Sequence, residues 1–238
     1  MIKIIKQLIP KTIKKLIKKL IKKAITKFKF LQIKSPEDIV NFHFQHYSST
    51  DHINFQMFLN IFSTLQGRPL NIFETGSSAW GTNSSVLFDS YIRKFGGTFI
   101  TVDIRPEPSI ELNKILSRNS KTFTQDSVQF INEYNTTYFE NIDLVYLDSF
   151  DLDLENPEPS MNHGYKEFSL LDKKIKIGCI IIIDDTPSDL KYFDNETIKI
   201  EKSKLIPGKG ALVFEEIKEN KNYEILFHEY ALAIKKIK

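Results

Sequence analysis

The sequence predicts an α/β fold: a doubly wound, mostly parallel sheet of seven strands with an antiparallel pair at the carboxyl end, preceded by an amphipathic helix at the amino terminus. Three observations carry this prediction. Strand and helix patterns alternate through five strands between residues 71 and 183, two extended patterns follow without a clear helix between them, and segment 1–30 is rich in lysine.

Length and composition limit the class of protein. With 238 residues, 41% hydrophobic and 26% charged, the chain can bury one α/β core and carry an appendage. Cys179 is the only cysteine, which excludes an internal disulfide and fits a reducing, cytoplasmic setting. We find neither an uncharged apolar run of about 18 residues nor the core of a signal peptide. We therefore expect no transmembrane helix.

Charge divides the chain into a leader, residues 1–30, and a body, residues 31–238. The leader holds 11 lysines and no acid, so the net charge of +3 less those 11 charges leaves −8 for the body. An acidic body repels nucleic-acid phosphates, and the leader has no arginine. We therefore expect no nucleic-acid partner.

Apolar residues and lysines in the leader fall on opposite faces of a helix over 11–28. The apolar stripe comprises Ile13, Leu16, Ile17, Leu20, Ile21, Ala24, Ile25 and Phe28. Such a helix binds an anionic membrane surface, or it packs its stripe on the body or on a partner subunit of a homo-oligomer. The pattern leaves these alternatives open, so the inner face of a membrane is a second candidate location.

Helix signals cover segment 31–69, where Ser35-Pro36-Glu37-Asp38 starts one helix and 51–65 has the periodicity of another. We expect these helices to cover the active-site edge. The alternating elements that follow are strands at 71–74, 98–103, 122–124, 144–147 and 179–183, and helices at 84–95, 109–116, 128–134 and 165–174. The last two extended patterns, 197–206 and 223–234, predict an antiparallel pair at the sheet edge.

A glycine turn, FETGSSAWG, follows the first strand directly. Gly76 and Gly81 can adopt backbone angles closed to other residues, and Thr82 or Asn83 can cap the next helix. Backbone N–H groups at such a turn can hold a cofactor, while a purely structural turn is the alternative. The glycine spacing departs from G-x-G-x-x-G, so the dinucleotide fingerprint is not met.

Six carboxylates follow the predicted strand ends, at the edge where open α/β sheets bind ligands. They are Glu74, Asp103, Asp126, Asp148, Asp184 and Asp185. Asp103 lies where a ribose-binding acid is expected after a glycine turn. Asp126, next to Ser127, can receive the amino group of a base or cap a helix.

Asp148 and the Asp184-Asp185 pair follow neighbouring strands, so their oxygens can converge on a hard divalent cation. The alternative is that the pair caps the turn before Pro187. His163 lies between the same two strands and is a candidate general base, although a loop histidine is also commonly exposed or structural.

Together, FETGSSAWG, TVDI, QDSVQF, DLVYLDSFD and GCIIIIDDTP resemble the Rossmann-like, class I S-adenosylmethionine-dependent methyltransferases over residues 71–234. The resemblance implies S-adenosylmethionine as the cofactor. The residues it assigns to cofactor binding are Glu74, Gly76, Ser77 and Gly81 at the methionine end, Asp103 at the ribose, and Asp126 and Ser127 at the adenine.

Within that family, the acid after the fourth strand and the Asp-Asp after the fifth resemble the metal-dependent O-methyltransferases. This implies Mg²⁺ at Asp148, Asp184 and Asp185, with Asp148, His163 and Asp184 in catalysis. The implied acceptor is a hydroxyl on a sugar, a glycan or a small metabolite. Two other classes remain: an NAD-type oxidoreductase, and a non-catalytic, membrane-docked module with the same fold.

Overall fold

The computed structural model describes residues 21, 26, 28–78, 81–193 and 205–238. The strands are β1 (Leu70–Thr75), β2 (Gly97–Asp103), β3 (Ser120–Thr124), β4 (Leu144–Leu147), β5 (Ile180–Ile183), β6 (Tyr223–His228) and β7 (Leu232–Lys236). The α-helices are α1 (Pro36–His46), α2 (Phe55–Ser63), α3 (Ser84–Phe95), α4 (Pro106–Leu112), α5 (Ser127–Glu133), α6 (Thr136–Glu140), α7 (Glu158–Asp172) and α8 (Ala211–Glu219). Most of the predicted leader helix lies outside the described residues.

The seven strands form one sheet in the order β3-β2-β1-β4-β5-β7-β6. β1 pairs in parallel with both β2 and β4, and β7 is antiparallel to both β5 and β6. The chain order reverses at β1, between β2 and β4, which is the position where doubly wound sheets open a ligand crevice. The predicted α/β class and the parallel sheet with an antiparallel pair are confirmed.

Two apolar clusters cover the two faces of the sheet. One joins Phe58 of α2 and Phe88 of α3 to Tyr146, and the other joins Phe73 and Ile181 to the helices on the opposite face. All residues of β4 and β5 are buried, because alternate side chains enter opposite clusters. The central strands therefore hold their carboxyl ends in fixed positions.

Helix α1 begins at the predicted capping signal. The Ser35 hydroxyl accepts a hydrogen bond from the backbone N–H of Asp38, and the Asp38 carboxylate accepts one from the N–H of Ser35. This reciprocal pair satisfies N–H groups that have no partner within the helix. The expected cap of α3 is absent in the described residues: Asn83 has a φ of 51° and donates instead to the Tyr47 carbonyl.

The antiparallel pair differs from the one predicted. Both of its strands, β6 and β7, come from the single pattern at 223–234, with a register irregularity between Ile225 and Phe227. Residues 205–206 are not in a strand, and 197–204 lie outside the described residues. Helix α8 precedes the pair and buries Val213 and Ile217 at helical spacing, although its glycine- and lysine-rich surroundings predicted a linker.

None of the helices within the described ranges combines the length and the apolar character needed to cross a bilayer.

Candidate active site

A cavity of about 310 Å³ opens beyond the carboxyl ends of β1 to β4. Its wall contains six of the predicted site residues, namely Gly76, Asp103, Asp126, Ser127, Asp148 and His163. The remaining predicted residues lie off this wall: Glu74, Ser77, Gly81, Asp184 and Asp185. The structure therefore brings part of the predicted site together, and the other part surrounds or supports it.

Gly76 sits where the turn after β1 meets the end of β4. Its φ is +78°, and a Cβ atom there would lie 2.1 Å from the Asp148 carbonyl oxygen. Only glycine fits this approach. The next residue, Ser77, is buried and donates its N–H to Asp103 at 3.0 Å, so this N–H is already engaged.

Glu74 is fully buried behind the turn and accepts a hydrogen bond from the Ser85 hydroxyl at 2.5 Å. Burial raises the pKa of its carboxyl from 4.5 to about 7, although hydrogen bonds from neighbouring hydroxyls oppose the rise. Its Oε1 atom has no hydrogen-bond partner among the described residues. Glu74 thus supports the turn from behind and does not face the cavity.

The Asp103 carboxylate accepts four hydrogen bonds. Arg105 provides three, from its backbone N at 2.8 Å, Nε at 2.9 Å and Nη2 at 2.8 Å, and Ser77 provides the fourth. The acid predicted to bind a ribose is therefore held by the residue two positions further along the chain. Arg105 itself lines the cavity.

Two exposed apolar side chains on the cavity wall were missed in the sequence. Ile104 is 69% exposed and Phe150 is 51% exposed. Phe150 has a φ of 61°, which is unusual for an aromatic residue, and its ring centroid lies 5.3 Å from that of His163. Their positions in the sequence could have indicated them, because Ile104 directly follows Asp103 and Phe150 is two residues after Asp148.

His163 lies inside α7, whereas the sequence placed it before a helix. Its Nε2 is 2.9 Å from the Ser127 hydroxyl and 3.5 Å from Oε1 of the buried Glu167. Burial lowers the pKa of His163, but the Glu167 carboxylate outweighs burial and the net shift is upward. Asp126 caps α5 by accepting from the Gln129 N–H at 2.8 Å, as the capping alternative expected.

The arrangement of the three aspartates does not fit Mg²⁺. The Lys209 ammonium lies 2.5 Å from Asp148 Oδ1 and 3.0 Å from Asp185 Oδ2. Burial alone would lower the pKa of Lys209, but the two carboxylates outweigh it and raise the pKa. Among the described residues, no group of three or more His, Cys, Asp or Glu side chains is placed to hold a metal.

Asp184 is held by other donors than this cation. Its oxygens accept hydrogen bonds from Asn54 Nδ2 at 2.9 and 3.0 Å and from the Tyr146 hydroxyl at 2.6 Å. Asp184 is therefore buried with both of its carboxylate oxygens hydrogen-bonded. The candidate oxygens are thus occupied by protein donors, so this donor set does not fit the Mg²⁺ expected at Asp148, Asp184 and Asp185.

The segment before β1 contacts the glycine turn and the end of β5. His43 Nε2 lies 2.7 Å from the Thr82 carbonyl, and the Ser48 hydroxyl donates to the Gly81 carbonyl. Burial lowers the pKa of His43 to about 4, so this imidazole is neutral near pH 7. No local sequence pattern predicts this contact, because His43 and Thr82 are 39 positions apart in the chain.

The sheet order and the cavity together define the fold of the class I S-adenosylmethionine-dependent methyltransferases. The dinucleotide-binding order 3-2-1-4-5-6 lacks an antiparallel strand inserted beside β5, so the sheet does not match the NAD-type alternative. No protein-family model and no curated protein matches the sequence.

Two solved structures illustrate the likeness. A candidate caffeoyl-CoA O-methyltransferase from Staphylococcus aureus has a TM-score of 0.53 and 15% identity, over 92% of this chain and 100% of that one. The O-methyltransferase TomG from Streptomyces achromogenes, involved in tomaymycin synthesis and solved with S-adenosylmethionine, has a TM-score of 0.50 and 10% identity, over 87% of this chain and 91% of that one. At these identities the likeness establishes the fold.

Proposed function

We propose that this protein transfers the methyl group of S-adenosylmethionine to a hydroxyl oxygen of a sugar, a glycan or a small metabolite. The observation that carries the proposal is the cavity at the switch point of the sheet, bounded by Gly76 and Asp103. Its volume of about 310 Å³ lies at the lower end of the range typical of small-molecule sites.

The residues on the wall fit the chemistry of this cofactor. Ile104 and Phe150 offer apolar surface for the faces of an adenine, and Ser127 and His163 offer polar atoms for its edge. Asp103 is the acceptor for ribose hydroxyls, in competition with Arg105. Glu74 and Ser77 hold the turn in place from behind, and Gly81 is held by the segment before β1.

The bound cofactor supplies a methyl group already activated on a sulfonium, so the protein's task is mainly to orient the acceptor. Asp148 is the best-placed residue for this, because it lines the cavity beside Gly76. We assign it to accept the hydrogen bond of the acceptor hydroxyl and then its proton, as the bond from the methyl carbon to sulfur breaks and the bond to the acceptor oxygen forms. His163 lies beside Ser127, so we assign it to cofactor positioning, and the buried Asp184 to holding Asn54 and Tyr146.

The surroundings of the entrance favour an uncharged acceptor. Asp151 lies on the cavity wall, and the exposed Asp153 and Glu155 follow it in the same loop. These carboxylates repel anions and accept hydrogen bonds from hydroxyl groups. An acceptor oxygen also agrees with the O-methyltransferases to which the fold is similar.

We also propose that the leader attaches the protein to an anionic membrane surface. Two members of its apolar stripe are described, and both are exposed: Ile21 by 54% and Phe28 by 60%. The body does not cover these two positions, which weighs against the alternative that the stripe packs on it. The lysines of the opposite face match the charge of anionic headgroups.

Calorimetric titration of S-adenosylhomocysteine into the full chain tests the cofactor, with NADH as the contrasting ligand. We expect micromolar binding of S-adenosylhomocysteine and none of NADH. The acceptor is then tested by measuring the formation of S-adenosylhomocysteine from S-adenosylmethionine in the presence of neutral glycosides and of the matching uronic acids. Binding of NADH alone would contradict the proposal, and turnover confined to uronic acids would contradict the uncharged acceptor.

A further inference from the structure

The side chain of Lys209 ends between two of the aspartates that the sequence pattern assigned to Mg²⁺. Its ammonium contacts Asp148 at 2.5 Å and Asp185 at 3.0 Å, and the side chain is only 4% exposed. A lysine is almost never buried to this extent unless it is paired. The two carboxylates therefore share one fixed positive charge that belongs to the protein.

The backbone around Lys209 is built to hold the ammonium there. The Lys209 N–H donates to the Asp185 carbonyl at 2.9 Å, and the next N–H, of Gly210, donates to the Thr186 hydroxyl at 2.9 Å. On the opposite side, a Cβ at Gly164 of α7 would lie 2.3 Å from the Lys209 carbonyl oxygen. The loop is thus wedged between α7 and the turn after β5.

The partners of Lys209 are also held in place. Asp185 has a φ of 43°, and its Oδ1 accepts a hydrogen bond from the Tyr230 hydroxyl at 2.6 Å, leaving Oδ2 for the lysine. The main chain of Asp148 packs against Gly76, and Asp148 is one of the residues that line the cavity. A displacement of Lys209 would therefore leave two carboxylates facing each other without a cation.

We propose that Lys209 is the resident cation of this site and takes the place of a divalent metal. It neutralises Asp148 and Asp185, and it holds the Asp148 carboxylate at the cavity wall. The ammonium occupies the oxygen ligands that Mg²⁺ would need, and its charge repels a second cation at this distance. Cofactor binding then needs no metal, and metal-free methyl transfer follows for the proposed function on which it rests.

Divalent-cation binding by the full chain tests this inference without any measurement of activity. For the wild-type protein we expect no change of melting temperature in millimolar MgCl₂, and no loss of the electron paramagnetic resonance signal of free Mn²⁺. Stabilisation by MgCl₂, or stoichiometric loss of the Mn²⁺ signal, would overturn the inference whether or not any variant folds.

Two variants separate the charge of Lys209 from its packing. Lys209→Ala leaves room between Asp148 and Asp185, so we expect it to gain Mn²⁺ binding. Lys209→Met fills nearly the same volume without charge and is expected to bind no Mn²⁺. A purely structural lysine would give no gain in either variant, and that result would count against the inference.

Lys176→Ala is the matched control. Lys176 pairs with Asp143, which also keeps Arg68 as a partner, so no gain of Mn²⁺ binding is expected there.

Titration of S-adenosylhomocysteine with and without EDTA completes the set, and equal affinities are expected. Absence of S-adenosylhomocysteine binding in both conditions would count against the proposed function alone, whereas binding that is lost in EDTA would count against the resident cation.

Discussion

Arg105 and Asp103 form a two-pronged ion pair on the wall of the cavity. Nε of Arg105 lies 2.9 Å from Oδ1, and Nη2 lies 2.8 Å from Oδ2. The arginine side chain is 58% exposed, whereas the aspartate side chain is almost fully buried. Because the exposed partner can swing into solvent at little cost, we expect the pair to act as a reversible cover for the acid predicted to bind the ribose.

We expect Arg105→Ala to bind S-adenosylhomocysteine up to about fivefold more tightly, because an ion pair of about 1 kcal/mol no longer competes with the ribose. Asp103→Ala should weaken binding by about 1.5 to 3 kcal/mol, the usual value of hydrogen bonds to a charged group. Calorimetry measures both effects. Weaker binding by Arg105→Ala would contradict the idea of a cover and indicate that the guanidinium itself contacts the cofactor.

Gly76 and Gly178 offer a matched pair for testing the glycine turn. Both have positive φ, +78° at Gly76 and +89° at Gly178. A Cβ added at Gly76 would collide with the Asp148 carbonyl, whereas a Cβ added at Gly178 would have no described atom within 4 Å. We expect Gly178→Ala to lose about 1 to 2 kcal/mol of unfolding free energy and to keep its affinity for S-adenosylhomocysteine.

Gly76→Ala should lose more unfolding free energy in urea and should also lose binding of S-adenosylhomocysteine. The reason is that the turn must move away from β4 to make room for the alanine side chain. Similar losses of unfolding free energy in the two variants would show that strain at positive φ accounts for the whole loss, and that the close approach to Asp148 contributes nothing to it.

Phe150 combines a strained backbone with an exposed ring. A substitution at this position can therefore affect the affinity for the cofactor without lowering the stability of the fold. Phe150→Gly relieves a φ of 61°, so we expect the free energy of unfolding to stay within about 1 kcal/mol of the wild type. The affinity for S-adenosylhomocysteine should fall about tenfold through loss of the apolar contact. Gln66→Gly, at a φ of 58° outside the cavity wall, should leave affinity unchanged.

The fold could be predicted where the signals are local. Strand β4 has the bounds that the sequence predicted, because every one of its residues is apolar and buried, and α1 begins at a capping box formed within four residues. Helix α8 was missed because glycine and lysine before it resemble a linker. The two strands of the final hairpin were read as one because their turn has no glycine or proline.

The site could be predicted only as a set of strand ends. Parallel strands bring their following residues to one edge, which correctly placed Asp103 and Asp148 on the cavity wall. The contacts of each carboxylate could not be predicted, because Lys209 is 61 positions from Asp148 and Asn54 is 130 positions from Asp184. Pairings over such separations depend on packing, which no local pattern encodes.

The membrane proposal for the leader can be tested by adding charge to one helix face at a time. We expect the full chain to sediment with anionic vesicles and not with neutral ones, and Ile21→Glu/Phe28→Glu to abolish this by placing carboxylates in the apolar stripe. Thr12→Glu/Thr26→Glu adds the same charge outside the stripe and should retain most binding. Equal loss in both variants would contradict burial of the stripe, and oligomers in place of sedimentation would favour a partner subunit.

The raised pKa of Glu74 predicts a pH dependence of stability. Its carboxyl titrates at about 7 in the folded protein, against an ordinary value of 4.5, so the folded state holds this proton more tightly than the unfolded state. Between these values the unfolded state binds fewer protons, and the free energy of unfolding falls by about 3 kcal/mol as the pH rises. Below this window the contribution is complete, and above it the contribution is lost.

Glu74→Gln keeps an oxygen for the Ser85 hydroxyl and removes the titration. We therefore expect the difference in unfolding free energy between the two proteins to shift in favour of the glutamine variant by about 3 kcal/mol from about pH 5 to about pH 8, measured by urea unfolding. Taking the difference cancels the other titrating groups that the two proteins share. Parallel curves would mean that Glu74 is ionised across the whole range, and its burial would then have to be offset by a cation that reaches its free oxygen.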